Sequence, residues 1–268
     1  MYKRQSLLRL EGGLVNPWSW AVVVLGLLLV IPFVLWELRC DDPLIDVRMF
    51  RSPALGPVFL TAGLFGVSVL GAQAPLSTFA RTDPGVYGYG LGTTGFATSL
   101  IIGLYLIAMI AGALLFPLVA RLVSPRITLM GASLLVGIGF LLFLPFHDSY
   151  VQVVTNMVIV GLGSGALVAA LPAAAASAAP ATQTGVATGL TNSVKTVGGA
   201  IASCIFGIAL LNGVSGAVEG TAGSFAGYVT VWVVCGVTAL VAAAILVFVP
   251  KEAFTDRTDA EAVATPIA

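Results

Sequence analysis

The sequence is poor in charged residues. Only 9% of its 268 residues are Asp, Glu, Lys or Arg, whereas soluble globular chains carry about 25% because their water-facing surface needs them. Its twelve basic residues equal its twelve acidic ones and form no basic run, which excludes nucleic-acid binding as a serious interpretation. A chain with so little charge is expected to face lipid over most of its surface.

Residues that carry catalysis or bind metals are also scarce. The sequence has one histidine, His147, and three cysteines, Cys40, Cys204 and Cys235, without paired spacing. One histidine cannot build a typical zinc site or a catalytic triad. We therefore predict free thiols, no metal site, no cofactor and no enzymatic activity.

Long apolar runs occupy most of the chain. Hydrophobic residues make up 58% of it, about 155 residues, which leaves room for about seven helices of roughly 20 residues each. These runs do not alternate as the strands of a membrane barrel do. The predicted spans are residues 17–36, 54–80, 94–120, 127–146, 151–176, 187–211 and 225–249. The sequence thus predicts an all-α polytopic membrane protein.

The positions of lysine and arginine indicate the orientation. With an outer N-terminus, eight of the twelve cations fall in cytoplasmic segments, so the C-terminal tail is expected in the cytoplasm. Lys3, Arg4 and Arg9 conflict with this orientation, because they would normally hold the N-terminus inside. The conflict is resolved if the chain starts within a larger protein, with residues 6–15 ending a preceding helix and residues 1–5 not necessarily native.

A few polar and aromatic side chains in or beside the spans are candidates for a substrate cavity. A cavity for amphipathic solutes needs hydrogen-bonding groups among apolar walls. Hydrogen bonds between helices explain the polar residues equally well, and both interpretations stay open. The candidates are Gln73, Phe96, Tyr105, Asn156, Thr191 and Asn192.

Three cations are candidates for a cytoplasmic gate or anchor: Arg121, Arg126 and Lys195. Lys195 is placed at the cytoplasmic start of the sixth span. There it gates the inner mouth, contacts an anionic group, or snorkels to the interface as a topology anchor. The anchor is the favoured interpretation.

Small residues spaced four apart predict close helix packing, because they share one helix face and let another backbone approach. The GLGSG stretch of the fifth span adds to this set. It is not a phosphate loop, since it follows no strand and lacks a catalytic lysine. The packing candidates are Gly161, Gly163, Gly165, Gly185, Gly189, Gly199, Ser203 and Gly207.

Four segments of the chain carry recognisable motifs: WELR followed by DPLIDVRMFRSP at 42–53, APLSTFARTDPGVYGYGLG at 74–92, PLVARLVSPRITLMGA at 117–132, and GLGSGALVAALP followed by TGVATGLTNSVKTVGGAIAS at 184–203. They resemble the C-terminal half of the fourteen-helix drug:proton antiporters of the major facilitator superfamily. The last is the strongest match. The loop at Arg121 departs from the superfamily pattern, because Ala120 stands where the gating loop carries an Asp.

The resemblance implies a domain organisation. Residues 1–16 would hold the tail of a preceding helix and an outer loop, and 17–36 a linker transmembrane helix. A cytoplasmic loop at 37–53, a six-helix transporter bundle at 54–249 and a disordered cytoplasmic tail at 250–268 would follow. The seven spans would be helices eight to fourteen, so the chain is expected to be a fragment.

The resemblance also implies a function: proton-coupled export of multiple drugs or other amphipathic small molecules across the plasma membrane by alternating access. The implied partners are the lipid bilayer, protons, the solute and a missing N-terminal half, which would carry the proton-linked carboxylates. The alternative is a membrane scaffold or partner subunit that transports nothing, because the spans hold almost no ionisable residue. A membrane-embedded enzyme is a distant third, since the spans lack acid-base and metal-binding residues.

Overall fold

The computed structural model describes residues 47–211 and 222–248, together with some positions between 25 and 39. The chain divides into two compact units, Met1–Arg51 and Ser52–Ala268. In the first unit the chain forms a short 3-10 helix, Val47–Arg51. Most of the predicted span at 17–36, the segment before it, Cys40 and the tail at 250–268 lie outside the described residues.

The described part of the second unit is built from helices. Five stretches are long and apolar enough to cross a bilayer, Gly56–Arg81, Gly95–Leu122, Tyr150–Ala178, Ala181–Leu211 and Phe225–Leu246. The α-helices are α1 (Gly56–Val69), α2 (Gln73–Arg81), α3 (Pro84–Tyr87), α4 (Gly95–Leu122), α5 (Pro125–Leu141), α6 (Tyr150–Ala178), α7 (Thr184–Leu211) and α8 (Phe225–Leu246). The predicted all-α membrane fold is confirmed.

Two of the most extensive helix pairs join helices that are not neighbours in sequence. Helix α4 packs chiefly on α6 rather than on its sequence neighbour α5, and α1 packs chiefly on α7. Helix α5 lies between α6 and α8, and α8 also packs on α1. Helix α6 contacts α4, α5 and α7, so it is the most buried of the long helices.

Glycines permit the closest of these helix crossings. A Cβ added to Gly165 of α6 would collide with the backbone oxygen of Met109 on α4. Where α1 crosses α7, a Cβ on Gly66 would collide with the carbonyl of Lys195. Side chains at these glycines would push the backbones apart, so each crossing depends on a residue without a Cβ.

The predicted span at 54–80 is interrupted. Helix α1 ends at Val69 and α2 begins at Gln73. The physical reason is Pro75, which has no N–H to donate to the carbonyl of Gly71 four residues earlier and whose ring crowds that carbonyl. At the interruption the amide of Gly71 donates to the carbonyl of Gly66, five residues earlier, at 3.2 Å.

A second proline shortens α5. The span predicted at 127–146 is helical only from Pro125 to Leu141. Pro145 lacks the N–H that would bond to Leu141, and residues 142–145 form turns instead. At 17 residues, α5 is shorter than the five candidate spans.

An aromatic cluster joins the end of α2, the loop between α5 and α6, and the start of α8. His147 lies there, its ring centroid 5.3 Å from that of Phe225 and 5.4 Å from that of Trp232. Its Nε2 is 3.4 Å from Oδ1 of Asp148. In the same cluster the Tyr89 hydroxyl donates to the carbonyl of Gly223, and burial raises the pKa of this phenol. The cluster ties helix ends together.

Candidate functional site

A recess lies at the interruption between α1 and α2. It has a volume of about 590 Å³ and is also bordered by α4, α5, α6 and α7. Its walls are mainly apolar, with side chains such as Ile102 of α4, Phe140 of α5 and Met157 of α6. Its volume falls within the range of about 300–1,000 Å³ that is typical of small-molecule sites.

Two of the predicted cavity residues, Gln73 and Tyr105, line this recess together. The interruption of the first span places Gln73 at the start of α2, where its side chain is exposed. Ser77 lies one turn later on the same wall, and Ser203 of α7 lines the recess as well. The polar groups on these walls are therefore an amide, a phenol and two alcohols, all uncharged.

Two buried hydroxyls lie side by side, and one of them belongs to Tyr105, which lines the recess. Tyr105, which is only 6% exposed, lies beside Ser164 of α6. Neither hydroxyl makes a hydrogen bond of normal geometry to a described protein atom. Buried polar groups nearly always have a partner, and leaving one without costs about 1–3 kcal/mol.

Two other predicted cavity residues lie elsewhere. The side chain of Phe96, at the start of α4, is 75% exposed and does not line the recess. Asn156 is buried, and its Nδ2 donates to the carbonyl of Phe146 at 2.8 Å. This bond joins α6 to the loop that follows α5. For Asn156 the structure therefore shows a contact between segments of the bundle, the second of the two interpretations.

The last two predicted cavity residues lie next to Lys195. Thr191, Asn192 and Lys195 of α7 line a small pocket with Phe65 of α1 and Leu167 of α6. The Thr191 hydroxyl donates to the carbonyl of Ala187 at 2.9 Å, while Asn192 is exposed. The six candidates thus occupy two separate pockets and two positions away from both.

The three predicted gate or anchor cations have different surroundings. Arg121 is exposed in the last turn of α4. Nε of Arg126 donates to the carbonyl of Leu246 at 3.0 Å, so it satisfies an orphan carbonyl at the end of α8. Lys195 lies eleven residues after Thr184, the first residue of α7, which begins three residues before the predicted span.

The small residues predicted to pack fall into two groups. Added Cβ atoms at Gly161, Gly163, Gly165 and Gly199 would meet neighbouring helices within 3 Å. The other three glycines are all on α7: Gly185, Gly189 and Gly207. A Cβ added at any of them would meet nothing within 4 Å, so these positions contact no other described helix. Ser203 bonds to its own helix at Gly199 and lines the recess.

Some polar residues in or near the recess are not among the cavity candidates. Ser77 and Ser203 line it; Ser203 is a packing candidate, and Ser77 carries no distinguishing signal in the sequence. Ser164, beside Tyr105, belongs to the GLGSG stretch that predicts packing. Within the described residues, no group of three or more His, Cys, Asp or Glu is placed to hold a metal ion.

These features define a class: a multi-pass α-helical membrane protein with a solute-sized, uncharged recess between its helices. Sequence comparison is consistent with this class. The sequence matches the Major Facilitator Superfamily over residues 10–203 and again over 59–267. The chain belongs to this family.

Two relatives are named for resistance to a drug or export of one. A puromycin resistance protein of Streptomyces alboniger is 30% identical over 211 residues, covering 76% of this chain and 40% of the relative. A cephamycin export protein of Amycolatopsis lactamdurans is 28% identical over 204 residues, covering 74% of this chain and 39% of the relative. The aligned part of the chain thus spans about two fifths of the length of these relatives.

Proposed function

We propose that this chain forms one wall of an efflux transporter for amphipathic small molecules. The observation that carries the proposal is the recess of about 590 Å³, with apolar walls and the uncharged polar side chains of Gln73, Ser77 and Tyr105. Apolar surface with a few placed hydrogen-bonding groups suits solutes of mixed character. A family of transporters and relatives named for resistance and export support the direction of transport.

In this proposal the recess faces a second helix bundle supplied by a preceding half, and rocking of the two bundles gives alternating access. The whole transporter would be a fourteen-helix, proton-coupled multidrug antiporter in the plasma membrane, with a cytoplasmic C-terminus. Within 52–211 and 222–248 the acidic residues are Asp83 and Asp148, both outside the long helices. The carboxylates that carry protons would therefore come from the other half.

The test is transport by the full-length parent gene product in everted membrane vesicles. Acidifying the vesicle lumen should drive uptake of amphipathic probes, and a protonophore should abolish that uptake. Replacing Gln73 by Ala should lower uptake, whereas Phe96→Ala should not, because Phe96 lies outside the recess. Finding no proton-dependent uptake over a broad probe panel would reject the exporter and favour the scaffold.

A further inference from the structure

Lys195 is a cation deep within a helix. Helix α7 runs from Thr184 to Leu211, so at 1.5 Å per residue Lys195 lies about 16 Å from the nearer end and about 24 Å from the other. Helix α7 has 28 residues and is about 42 Å long, whereas the hydrocarbon core is about 30 Å thick, so distance from the helix ends does not measure depth in the bilayer. What distinguishes Lys195 from an exposed anchor is the pocket that it lines.

Among the described residues, the surroundings of Lys195 supply no counter-charge. Its side chain is half-buried in the small pocket, beside Phe65 of α1 and the apolar side chains of Leu167 and Leu171 on α6. It forms no ion pair with a described residue. The acidic residues of the described second unit, Asp83 and Asp148, are in loops. A half-buried cation without a counter-charge costs free energy, which favours binding of an anionic group beside it.

The small pocket lies along the same three helices as the recess. On α7, Ser203 lines the recess eight residues after Lys195, and on α6, Val160 lines it seven residues before Leu167. These separations correspond to about 12 Å and about 10 Å of helix. On α1 the recess starts at Val69, one turn after the small pocket. On each of these three helices the recess lies to the same side of the small pocket. Residue numbers rise toward the recess on α1 and α7 and fall toward it on α6, because α6 runs antiparallel to the other two helices.

We propose that Lys195 binds the anionic group, a carboxylate or similar oxyanion, of an amphipathic solute whose apolar body occupies the recess. The ammonium supplies three donors and a positive charge. The recess, whose lining residues begin about 10 Å farther along α6, supplies apolar walls with neutral hydrogen-bonding groups. This inference rests on the proposed function and deepens it, since it assigns an amphipathic anion as one solute class. The asymmetry of the site fixes the solute's direction, with the charged end on Lys195.

The test uses two fluorescent probes that differ only in charge, 11-(dansylamino)undecanoic acid and its methyl ester. Each is titrated into the purified full chain in a neutral detergent, and binding is followed by dansyl fluorescence. A charged hydrogen bond contributes about 1.5–3 kcal/mol, so the acid should bind roughly tenfold or more tightly than the ester. Equal affinities for acid and ester would overturn the proposal.

Two variants and a control separate the charge from the shape of the site. Lys195→Met keeps an unbranched apolar stem and removes the ammonium, so it should lower the acid's affinity about tenfold and leave the ester's unchanged. Lys195→Arg should retain the preference for the acid. Arg121→Gln removes an exposed charge away from both pockets and should change neither affinity. Equal weakening of acid and ester in Lys195→Met would show that Lys195 only supports the fold, which overturns the proposal.

The binding assay also keeps this inference distinct from the proposed export. A preference for the acid that depends on Lys195 supports the anion site even if vesicles show no efflux. Conversely, efflux that is confined to neutral or cationic probes, together with equal affinities for acid and ester, overturns the anion site and leaves export standing. Lys195 is one of three lysines in the sequence, with Lys3 and Lys251. Modification by an amine-reactive reagent, mapped by mass spectrometry, should be slowed at Lys195 alone by the acid.

Discussion

At the scale of single residues, the recess differs from a packed core in the state of its hydroxyl groups. Four buried side-chain hydroxyls of the described residues lack a hydrogen-bond partner, and of the four residues only Tyr105 lines the recess. A buried hydroxyl kept for stability would be expected to have a partner. The phenol of Tyr105 is therefore the group at which a role beyond stability can be tested.

Replacing Tyr105 by Phe separates function from stability. The variant removes a buried, unpartnered hydroxyl, so we expect the protein to be as stable as before or more stable by up to about 1–3 kcal/mol. We expect transport of hydrogen-bonding solutes to fall several-fold at the same time. Thermal unfolding in detergent and vesicle uptake measure the two effects. A loss of stability with unchanged uptake would assign Tyr105 to the fold alone.

The glycines of the helix crossings allow a prediction with a matched control. Gly165→Ala should destabilise the bundle by about 1–3 kcal/mol, because its Cβ would meet the backbone of Met109 and force α4 away from α6. Gly189→Ala lies in open space and should be neutral or stabilising by up to about 1 kcal/mol through helix propensity. Unfolding midpoints of the two variants in one detergent compare them. Similar midpoints would contradict the proposed contact.

At the scale of helices, the interruption between α1 and α2 creates the recess. It turns the chain at residues 70–72 and places Gln73 and Ser77 on one wall. The amide of Leu76 bonds to the carbonyl of Ala72, so the α2 ladder resumes directly after the turn. The shape of this wall therefore depends on one missing N–H, that of Pro75.

Pro75→Ala should partly close the interruption. The new N–H can bond to the carbonyl of Gly71, so α1 and α2 should approach one continuous helix. We expect slower amide hydrogen exchange in a peptide covering residues 70–78 and weaker binding of dansyl probes in the recess. Peptides from α8 serve as an internal control and should not change. Unchanged exchange at 70–78 would mean that packing at Gly71, rather than Pro75, maintains the turn.

The sequence predicts the long elements well and their interruptions poorly. Apolar runs locate α4, α6, α7 and α8 to within a few residues, since the cost of unsatisfied backbone in lipid enforces continuous helices. The presence of a proline, however, does not predict whether the helix is interrupted there. Pro75 and Pro145 each follow a helix end by a few residues, whereas Pro117 and Pro172 lie inside unbroken α4 and α6. Which outcome occurs depends on tertiary contacts that a single sequence does not encode locally.

The candidate site was only partly predictable for a related reason. Gln73 and Tyr105 carry the polar signature of a cavity and do line one recess. Asn156 has the same signature but bonds to Phe146. Ser164 sits in a glycine-rich packing motif and still faces Tyr105. These distinctions arise from which helices meet, and the main packing partners, α4 with α6 and α1 with α7, are far apart in sequence.

At the scale of the bundle, two of the long helices have an unusually small buried share. Only 17% of the most apolar stretch of Ala181–Leu211 and 22% of that of α4 are buried, against 61% for α6. On α7 the exposed surface combines large apolar side chains with Gly185 and Gly189, where an added Cβ meets no neighbour. Lipid can cover such a face, but small residues spaced four apart also suit close approach of another helix. We infer that α7 presents a protein interface that the rest of the transporter would cover.

In isolation the chain should therefore self-associate through α7. After subtraction of the detergent, light scattering on a size-exclusion column should give a mass above that of the 27.4 kDa monomer. The double variant Ile201→Ser, Ile205→Ser, at positions more than half exposed on α7, should shift the population toward monomer, because it removes apolar contact area without touching the core. The matched variant Val237→Ser, Val241→Ser on α8 changes two exposed side chains with the same spacing and should not. A stable, monodisperse monomer of the unmodified chain would contradict the interface. Equal effects of the two double variants would contradict it as well, because the exposed faces of α7 and α8 would then both be ordinary lipid-covered surface.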